Sequence, residues 1–285
     1  MPLTFKIKSG KIIKNKDILE LLDNNVRIAN LRDKSQKDLF GEGYEYIYYL
    51  PDLSTKGVLI SYDLGIYEVE VNALSCEEDY ELAFKMVSAL NSILMQPIFM
   101  DRNKKPLNIE ELKSIYTKVF IFSKIESSIN SIEKILKENE YIYIYGCLKE
   151  VYFNKNLYKY LKQKSKNFKE LKDNLFNVIR RVQYIENQYF EPNTYIVEGE
   201  DSWTYISVTF GIDYFLPKVD NLVIFFSESE DYLVEYDKLY EIKFEKLRLI
   251  DGAQFVLDAL REEELRELLC KLRRNTLWYL SKMQK

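Results

Sequence analysis

The spacing of hydrophobic residues changes several times along the chain, and each change predicts a different kind of element. Apolar and polar residues alternate in short segments rich in Tyr, Ile, Val and Phe, as is typical of half-buried strands. The predicted strands are residues 44–50, 57–62, 66–72, 98–100, 141–145, 181–185, 195–198, 203–210, 222–226, 232–236 and 244–250. Most of them fall before residue 100 or after residue 180, which predicts two groups of strands around a helical middle.

Apolar residues three and four positions apart predict the helices. A long helix is expected over residues 75–95, because Ser75 and Glu78 have the spacing of a capping box and an apolar stripe follows them. Its stripe consists of Tyr80, Phe84, Val87, Leu90 and Leu94. Further helices are predicted to begin at Asn108, to cover 125–136, to cover 154–178 in two pieces, and to close the chain over 262–282.

The order of these elements predicts an α+β fold with mixed or antiparallel sheets and segregated helices. At 285 residues the chain is long enough for two subdomains. We expect an N-terminal α+β subdomain over residues 1–150. Residues 151–285 are expected to combine lysine-rich helices, an acidic strand region and the closing helix.

Composition excludes several classes of enzyme. Histidine is absent, which removes histidine-based catalytic triads and imidazole metal sites. The nine glycines include a single Gly-x-Gly, at Gly41 and Gly43, with Tyr46 where a dinucleotide-binding fingerprint would have its third glycine. No Gly-Lys-Ser/Thr occurs. The sequence therefore predicts no cofactor and no metal, and it offers no catalytic residue.

Three cysteines, Cys76, Cys147 and Cys270, lie far apart without a Cys-x-x-Cys motif. This pattern predicts reduced thiols rather than a disulfide framework. The N-terminus has no apolar signal segment, and no stretch approaches 18 apolar residues. We therefore expect a cytoplasmic protein that does not cross a membrane.

Three segments resemble an uncharacterised bacterial family, a domain of unknown function. They are Ile60-Ser61-Tyr62-Asp63, the helix start Ser75-Cys76-Glu77-Glu78-Asp79-Tyr80-Glu81-Leu82-Ala83, and Ile250-Asp251-Gly252-Ala253-Gln254-Phe255-Val256-Leu257 before the last helix. Their order and spacing span nearly the whole chain. The resemblance implies a bacterial, cytoplasmic α+β protein and assigns no activity or functional residue.

Residues 191–250 form the most asymmetric part of the chain, with 13 acidic and 5 basic side chains. Two clusters in this region place carboxylates directly before an aromatic residue. They are Glu198, Glu200 and Asp201 before Trp203, and Glu228, Glu230 and Asp231 before Tyr232. Ordinary solvated turns would also explain both clusters. We nevertheless predict that the six carboxylates share one end of a sheet and bind a cationic protein partner, with the two aromatic residues as anchors. A metal is the weaker choice, because the ligand pattern of an EF-hand loop is missing.

The segment Lys155–Lys172 has the opposite charge, with seven lysines and one glutamate among interleaved aromatic residues. Such a segment could contact the phosphates of RNA. It contains no arginine, however, and its leucines supply an ordinary buried side. We therefore expect solvated helices and consider nucleic acid an improbable partner, in line with the sequence pI of about 5.3.

The sequence favours a non-enzymatic binding or regulatory protein, of the immunity or antitoxin type at most, that docks an acidic, aromatic surface on a cationic partner. One alternative is a carboxylate-dependent hydrolase of a sugar or phosphodiester, which requires at least two carboxylates in one cleft. The other alternative is an RNA-associated protein that uses Lys155–Lys172. The oligomeric state stays open.

Overall fold

The computed structural model describes residues 2–30, 44–101, 105–185, 188–199 and 201–272. Its first part contains β1 (Leu3–Lys8), α1 (Asn15–Leu19), β2 (Arg27–Asn30), β3 (Tyr44–Tyr49), β4 (Val58–Asp63), β5 (Ile66–Val71), α2 (Glu77–Leu94), β6 (Ile98–Met100), α3 (Ile109–Ile115), α4 (Lys118–Glu138) and β7 (Tyr141–Tyr145). There follow β8 (Glu150–Asn154), α5 (Lys155–Lys164), α6 (Phe168–Gln183), β9 (Tyr195–Val197), β10 (Trp203–Val208), β11 (Tyr214–Leu216), β12 (Asn221–Ser227), β13 (Glu230–Glu235), the 3-10 helix Tyr236–Glu241, β14 (Leu247–Leu249), β15 (Phe255–Leu257) and α7 (Glu262–Leu272). This mixture of helices and largely antiparallel sheets confirms the predicted α+β class.

The chain divides into two compact units. Unit 1 comprises the residues up to Val151 together with Tyr158–Tyr184, and unit 2 comprises Tyr152–Leu157 together with the residues from Ile185 onward. Helix α6 and most of α5 therefore belong to unit 1, whereas the sequence placed both helices in the C-terminal subdomain.

Unit 1 is built on a six-stranded antiparallel sheet with the strand order β2-β3-β4-β5-β1-β6. The strands alternate as expected for a sheet with one covered face. In β5, Tyr67, Val69 and Val71 are buried, while Glu68 and Glu70 are only half-buried on the opposite face. Helix α2 packs on the buried face, against β4, β5 and β1. The opposite face, which carries Glu68 and Glu70, is the outer face of unit 1.

Unit 2 contains a four-stranded sheet, β13-β12-β10-β9, and a three-stranded sheet, β11-β15-β14. Strands β10 and β12 are parallel, and the other pairs are antiparallel. The buried side chains of the four-stranded sheet share a core with the leucines of α7: Ile206, Val208, Leu222, Ile224, Tyr232, Val234, Leu265, Leu268, Leu269 and Leu272. Between the two groups of strands along the chain, β7 and β8 form a two-stranded ribbon.

Several boundaries differ from the prediction. Helix α2 begins at Glu77, and its N-cap is Cys76 instead of the predicted Ser75. The N–H of Cys76 donates to the carboxylate of Asp79, in the first turn of the helix, at 3.2 Å. The strand predicted over 181–185 is wrong: Val182 extends the buried stripe of α6, and the helix continues to Gln183. Strands β1, β2, β8, β11 and β15 and helix α1 were not predicted. The predicted closing helix is confirmed over α7, and its remainder lies outside the described residues.

Candidate functional site

The two acidic clusters lie at opposite ends of the four-stranded sheet of unit 2. The first cluster follows β9 and precedes β10, so it lies where β10 begins. The second lies in the turn where β12 ends and β13 begins. Because β10 and β12 are parallel, the start of one strand and the end of the other are separated by the length of the sheet. The predicted shared acidic site is therefore wrong.

Two members of the second cluster have structural roles. Tyr232 lies on the core side of β13 and is 9% exposed, so it is not a surface anchor. Its hydroxyl donates to Glu230 at 3.1 Å. The same carboxylate accepts from Arg266 of α7 at 2.7 and 3.1 Å, and the Arg266 guanidinium lies over the ring of Phe226. The Glu230 carboxylate therefore connects Arg266 of α7 to Tyr232 of β13.

The remaining members are at the surface. Glu198, Asp201 and Glu228 are exposed, while Asp231 and Trp203 are half-buried. Glu200 lies outside the described residues. Only the first cluster thus keeps the predicted combination of exposed carboxylates beside an accessible aromatic side chain.

An aromatic surface that the sequence did not predict surrounds Trp203. The rings of Tyr195 and Tyr205 stack with centroids 5.1 Å apart, and Trp203 lies 5.6 Å from Tyr205. Tyr195 is 47% exposed, and Phe225 farther along the same face is 38% exposed. The alternation of Trp203 and Tyr205 along the sequence places both rings on one face of a strand and was the signal for this surface. The strands were predicted, but the face that points away from the core was not identified.

The outer face of unit 2 consists of the strand positions that point away from α7. By the strand register these are Tyr195, Val197, Trp203, Tyr205, Ser207, Asn221, Val223, Phe225, Asp231, Leu233 and Glu235. None of these side chains is basic, and the exposed Glu198 and Asp201 border the end at which Trp203 lies. This face presents aromatic rings with carboxylates at its edges, an arrangement suited to a cation.

Carboxylates also converge on the outer face of unit 1. The cross-strand register places Glu45, Ser61 and Glu68 in one row, and Glu70 follows two residues after Glu68 on β5. These side chains line a cleft of about 350 Å³. Lys6 pairs with Glu68 at 2.7 Å. Glu45, Glu68 and Glu70 thus meet the requirement of at least two carboxylates in one cleft.

Burial changes the pKa of Glu70 in this cleft and of Lys56 beside it. Burial raises the pKa of Glu70, and the nearby charge of Glu68 raises it further. Lys56, beside Glu70, is also largely removed from water, and burial lowers its pKa to about 8. No group of three or more acidic or cysteine side chains that could hold a metal ion occurs among the described residues.

The segments that carry the family resemblance contain two buried carboxylates with structural roles. Asp79 accepts the N–H groups of Thr55, Lys56, Gly57 and Cys76 and the hydroxyl of Thr55, at 2.9 to 3.2 Å. In unit 2, Asp251 accepts the N–H groups of Tyr152, Ala253 and Gln254, at 2.8 to 2.9 Å. Each carboxylate organises a loop, and neither is available to a substrate.

The cysteines are unpaired, as the sequence indicated. Cys76 and Cys147 are buried, and Cys270 is exposed. Burial raises the pKa of the Cys147 thiol to about 12 and that of Cys76 well above its ordinary value. Both buried thiols therefore stay protonated at neutral pH, which makes them poor nucleophiles.

The lysine-rich segment contributes to the fold of unit 1. Lys172 is buried and paired with Glu77, and Lys162 pairs with Glu133 at 2.8 Å. The ammonium group of Lys164 lies over the ring of Tyr160. These contacts fit the expectation of solvated helices with a buried side.

A protein-family model described as Domain of unknown function (DUF4299) matches residues 3–268. The chain belongs to this family. The DUF4299 match includes all three segments on which the resemblance rested. Neither the curated proteins nor the solved structures contain a match to the chain.

Within the ranges that the structure covers, no helix has both the length and the apolar character needed to cross a bilayer.

Proposed function

We propose that this protein is a non-enzymatic binding protein that docks a cationic protein segment on the outer face of unit 2. The observation that carries the proposal is the composition of that face, on which Tyr205 contacts both Tyr195 and Trp203 and no strand position carries a basic side chain. The proposal keeps the cationic partner expected from the sequence and moves the contact surface to the aromatic face.

Physical chemistry favours a cation on this surface. An arginine or lysine of the partner gains from contact with an aromatic ring, and the exposed carboxylates of Glu198 and Asp201 attract it over a longer range. The same carboxylates repel each other in the free protein, so a cationic partner also relieves that repulsion. We include the cytoplasm of a bacterium in the proposal, since unpaired cysteines are typical of a reducing compartment.

Fluorescence anisotropy of a labelled ten-residue arginine peptide tests the proposal, with a ten-residue glutamate peptide as the negative probe. We expect saturable binding of the arginine peptide that weakens as salt rises. The double variant Tyr195→Ser/Phe225→Ser should weaken binding about tenfold, the loss expected from one or two cation–π contacts. The variant Glu198→Gln/Asp201→Asn should do the same at low salt.

The matched control is Glu126→Gln/Glu138→Gln, which removes two exposed carboxylates from α4 of unit 1. Equal weakening by the control would show that only net charge matters and would contradict the proposal. The last thirteen residues of the chain carry four basic and no acidic side chains. Tighter binding after Arg273, Arg274, Lys282 and Lys285 are changed to glutamine would assign the face to the chain itself rather than to a partner.

The cleft on the outer face of unit 1 supports a second candidate function, a carboxylate-dependent hydrolase. Glu70, whose pKa burial raises, would serve as the general acid, and Glu68 beside Lys6 would serve as the base or nucleophile. Residues two apart on a strand have Cα atoms about 7 Å apart, which is compatible with the carboxyl separations of glycosidases.

Turnover of 4-nitrophenyl glycosides and of bis(4-nitrophenyl) phosphate tests this candidate. A hydrolase predicts activity that Glu68→Gln and Glu70→Gln each lower by at least about a hundredfold, while Glu126→Gln has no effect. The absence of turnover, or turnover that survives both substitutions, would remove this candidate and leave the binding proposal unaffected.

A further inference from the structure

Strand β9 forms one edge of the four-stranded sheet of unit 2. In the part of the chain that the structure describes, its single neighbour is β10, and the antiparallel register places Ile196 opposite Thr204. An edge strand presents backbone N–H and C=O groups that a further strand can bind. The sheet can therefore be extended at β9 if such groups of this strand face outward.

The hydrogen bonds of Thr204 show which backbone groups of β9 face outward. The Thr204 N–H donates to the carboxylate of Asp220 at 2.7 Å, and Asp220 immediately precedes β12, the other neighbour of β10. The Thr204 N–H therefore faces β12 and not β9. Because opposite residues of antiparallel strands alternate between bonded and non-bonded pairs, the N–H and C=O of Ile196 point away from β10. Within the described ranges, no backbone hydrogen bond joins them to another segment.

Both faces of β9 expose apolar side chains. Tyr195 on the outer face of unit 2 is 47% exposed, and Ile196 on the opposite face is 68% exposed. A helix that lay on the outer face would leave the Ile196 side chain and the open edge in water. A fifth strand beside β9 covers the edge, and its alternating side chains reach both faces.

The charges around β9 indicate which side chains such a strand carries. Glu198 directly follows β9, Asp201 lies just before β10, and both carboxylates are exposed. On the outer face, Tyr195 stacks on Tyr205. Basic side chains match this face through contact with the aromatic rings and attraction to the carboxylates. Apolar side chains match the opposite face, at Ile196.

We propose that the cationic partner binds through an extended segment that adds to β9 as a fifth strand, with basic and apolar residues in alternation. This inference rests on the docking function proposed above and specifies the form of the partner. The backbone of the segment bonds the N–H and C=O of Ile196, and its basic side chains lie on the outer face beside Tyr195. In this mode of recognition the backbone hydrogen bonds supply affinity and the alternating side chains supply specificity.

Fluorescence anisotropy with two labelled peptides of equal composition and charge tests this inference on the full chain. The alternating peptide is Arg-Val-Arg-Val-Arg-Val-Arg, and the block peptide has four arginines followed by three valines. The alternating peptide should bind about tenfold more tightly, because as a strand it places all its arginines on one face and its valines on the other.

Ile196→Pro removes the outward N–H and keeps the pairing of β9 with β10, since an edge strand tolerates proline where its N–H faces solvent. It should weaken binding of the alternating peptide about tenfold, the loss of one hydrogen bond, and leave the block peptide unaffected. Leu249→Pro is the matched control on β14, an edge of the other sheet of unit 2. There the Ile250 N–H donates to the carbonyl of Gln254, just before β15, so the N–H of the exposed Leu249 faces outward. Leu249→Pro should bind both peptides like the unmodified protein.

Amide hydrogen exchange of the unmodified protein, measured by NMR, gives a result that does not depend on the folding of a variant. Saturation with the alternating peptide should slow exchange of the Ile196 amide at least about tenfold, because the bound strand protects it. The inference is overturned if the two peptides bind equally, if Ile196→Pro and Leu249→Pro have the same effect, or if the Ile196 amide exchanges at an unchanged rate. Salt-sensitive binding of both peptides would then still support cationic docking on the outer face, whereas binding of neither peptide would contradict both proposals.

Discussion

The side-chain amide of Gln183 occupies the space into which a Cβ at Gly146 would project. From there it accepts the N–H groups of Leu148 and Lys149, each at 2.8 Å, and donates to the carbonyl of Lys149 at 2.9 Å. Gln183 is fully buried, so these hydrogen bonds satisfy an amide that would otherwise be costly in the interior. One side chain therefore fixes the turn between β7 and β8 to the end of α6.

We expect Gly146→Ala to lower the free energy of unfolding by about 2 to 3 kcal/mol, because the new methyl group displaces the amide and breaks its hydrogen bonds. Gln183→Ala removes the same bonds. The double variant should therefore cost clearly less than the sum of the single variants. Urea unfolding followed by far-UV circular dichroism measures all three. Gly10→Ala, where the added Cβ has no neighbour within 4 Å, is the control; additive costs would contradict the mechanism.

Gly252 has backbone neighbours instead of a movable side chain. A Cβ there would lie 2.5 Å from the carbonyl oxygen of Tyr152 and 2.8 Å from the nitrogen of Asn154. We expect Gly252→Ala to destabilise unit 2 by more than about 3 kcal/mol, because strand β8 must move away. Fluorescence of Trp203 during urea unfolding, in a Trp278→Phe background, reports on this unit. Gly199→Ala, in an open turn, should change little; equal effects of the two substitutions would refute the close-approach argument.

Local patterns predicted most of the elements, because alternation and helical stripes reflect burial on one face. The stripe ending at Leu94 predicted α2 almost to the residue, and β7 matches the predicted segment 141–145. The pattern failed at 181–185, where β-branched residues suggested a strand although Val182 continues the buried face of α6. In this segment, tertiary packing outweighs the intrinsic preference of β-branched residues for strands.

The candidate sites were harder to predict, because they depend on strand order. Glu198 and Glu228 have the same local context, an acidic turn before an aromatic strand. The parallel pairing of β10 with β12, which no local signal indicates, places them at opposite ends of the sheet. The row of Glu45 and Glu68 likewise exists only because β4 lies between β3 and β5.

The carboxylate of Asp79 should contribute strongly to the free energy of unfolding. Its buried carboxylate accepts five hydrogen bonds, including those from Thr55 and Gly57. In Asp79→Asn an amide N–H₂ replaces one accepting oxygen and faces donors. We expect a loss of about 3 kcal/mol or more in the free energy of unfolding, measured by urea unfolding. Asp63→Asn makes the same chemical change at an exposed position and should cost less than about 0.5 kcal/mol; a similar cost for both would contradict this role of Asp79.

Glu264 gives the chain a pH-dependent contact at the start of α7. The N–H of Arg261 donates to its carboxylate at 2.8 Å and Lys246 does so at 2.9 Å, and these bonds lower the pKa of Glu264 to about 2. An unfolded glutamate has a pKa of about 4.3, so protons bind the unfolded chain more readily. The contribution is therefore complete above about pH 5 and disappears as the pH falls towards 2.

Glu264→Gln should accordingly lower the melting temperature at pH 6, and the difference from the unmodified protein should shrink between pH 5 and pH 2. Thermal unfolding at closely spaced pH values measures this, provided that both proteins unfold reversibly at each pH. Glu263→Gln is the matched control, because Glu263 is exposed on the same turn of α7 and has no ion pair within the ranges that the structure describes. A difference that grows on acidification would have the wrong sign for a carboxylate whose folded pKa is lowered, and would show that the contacts to Arg261 and Lys246 do not stabilise its ionised form.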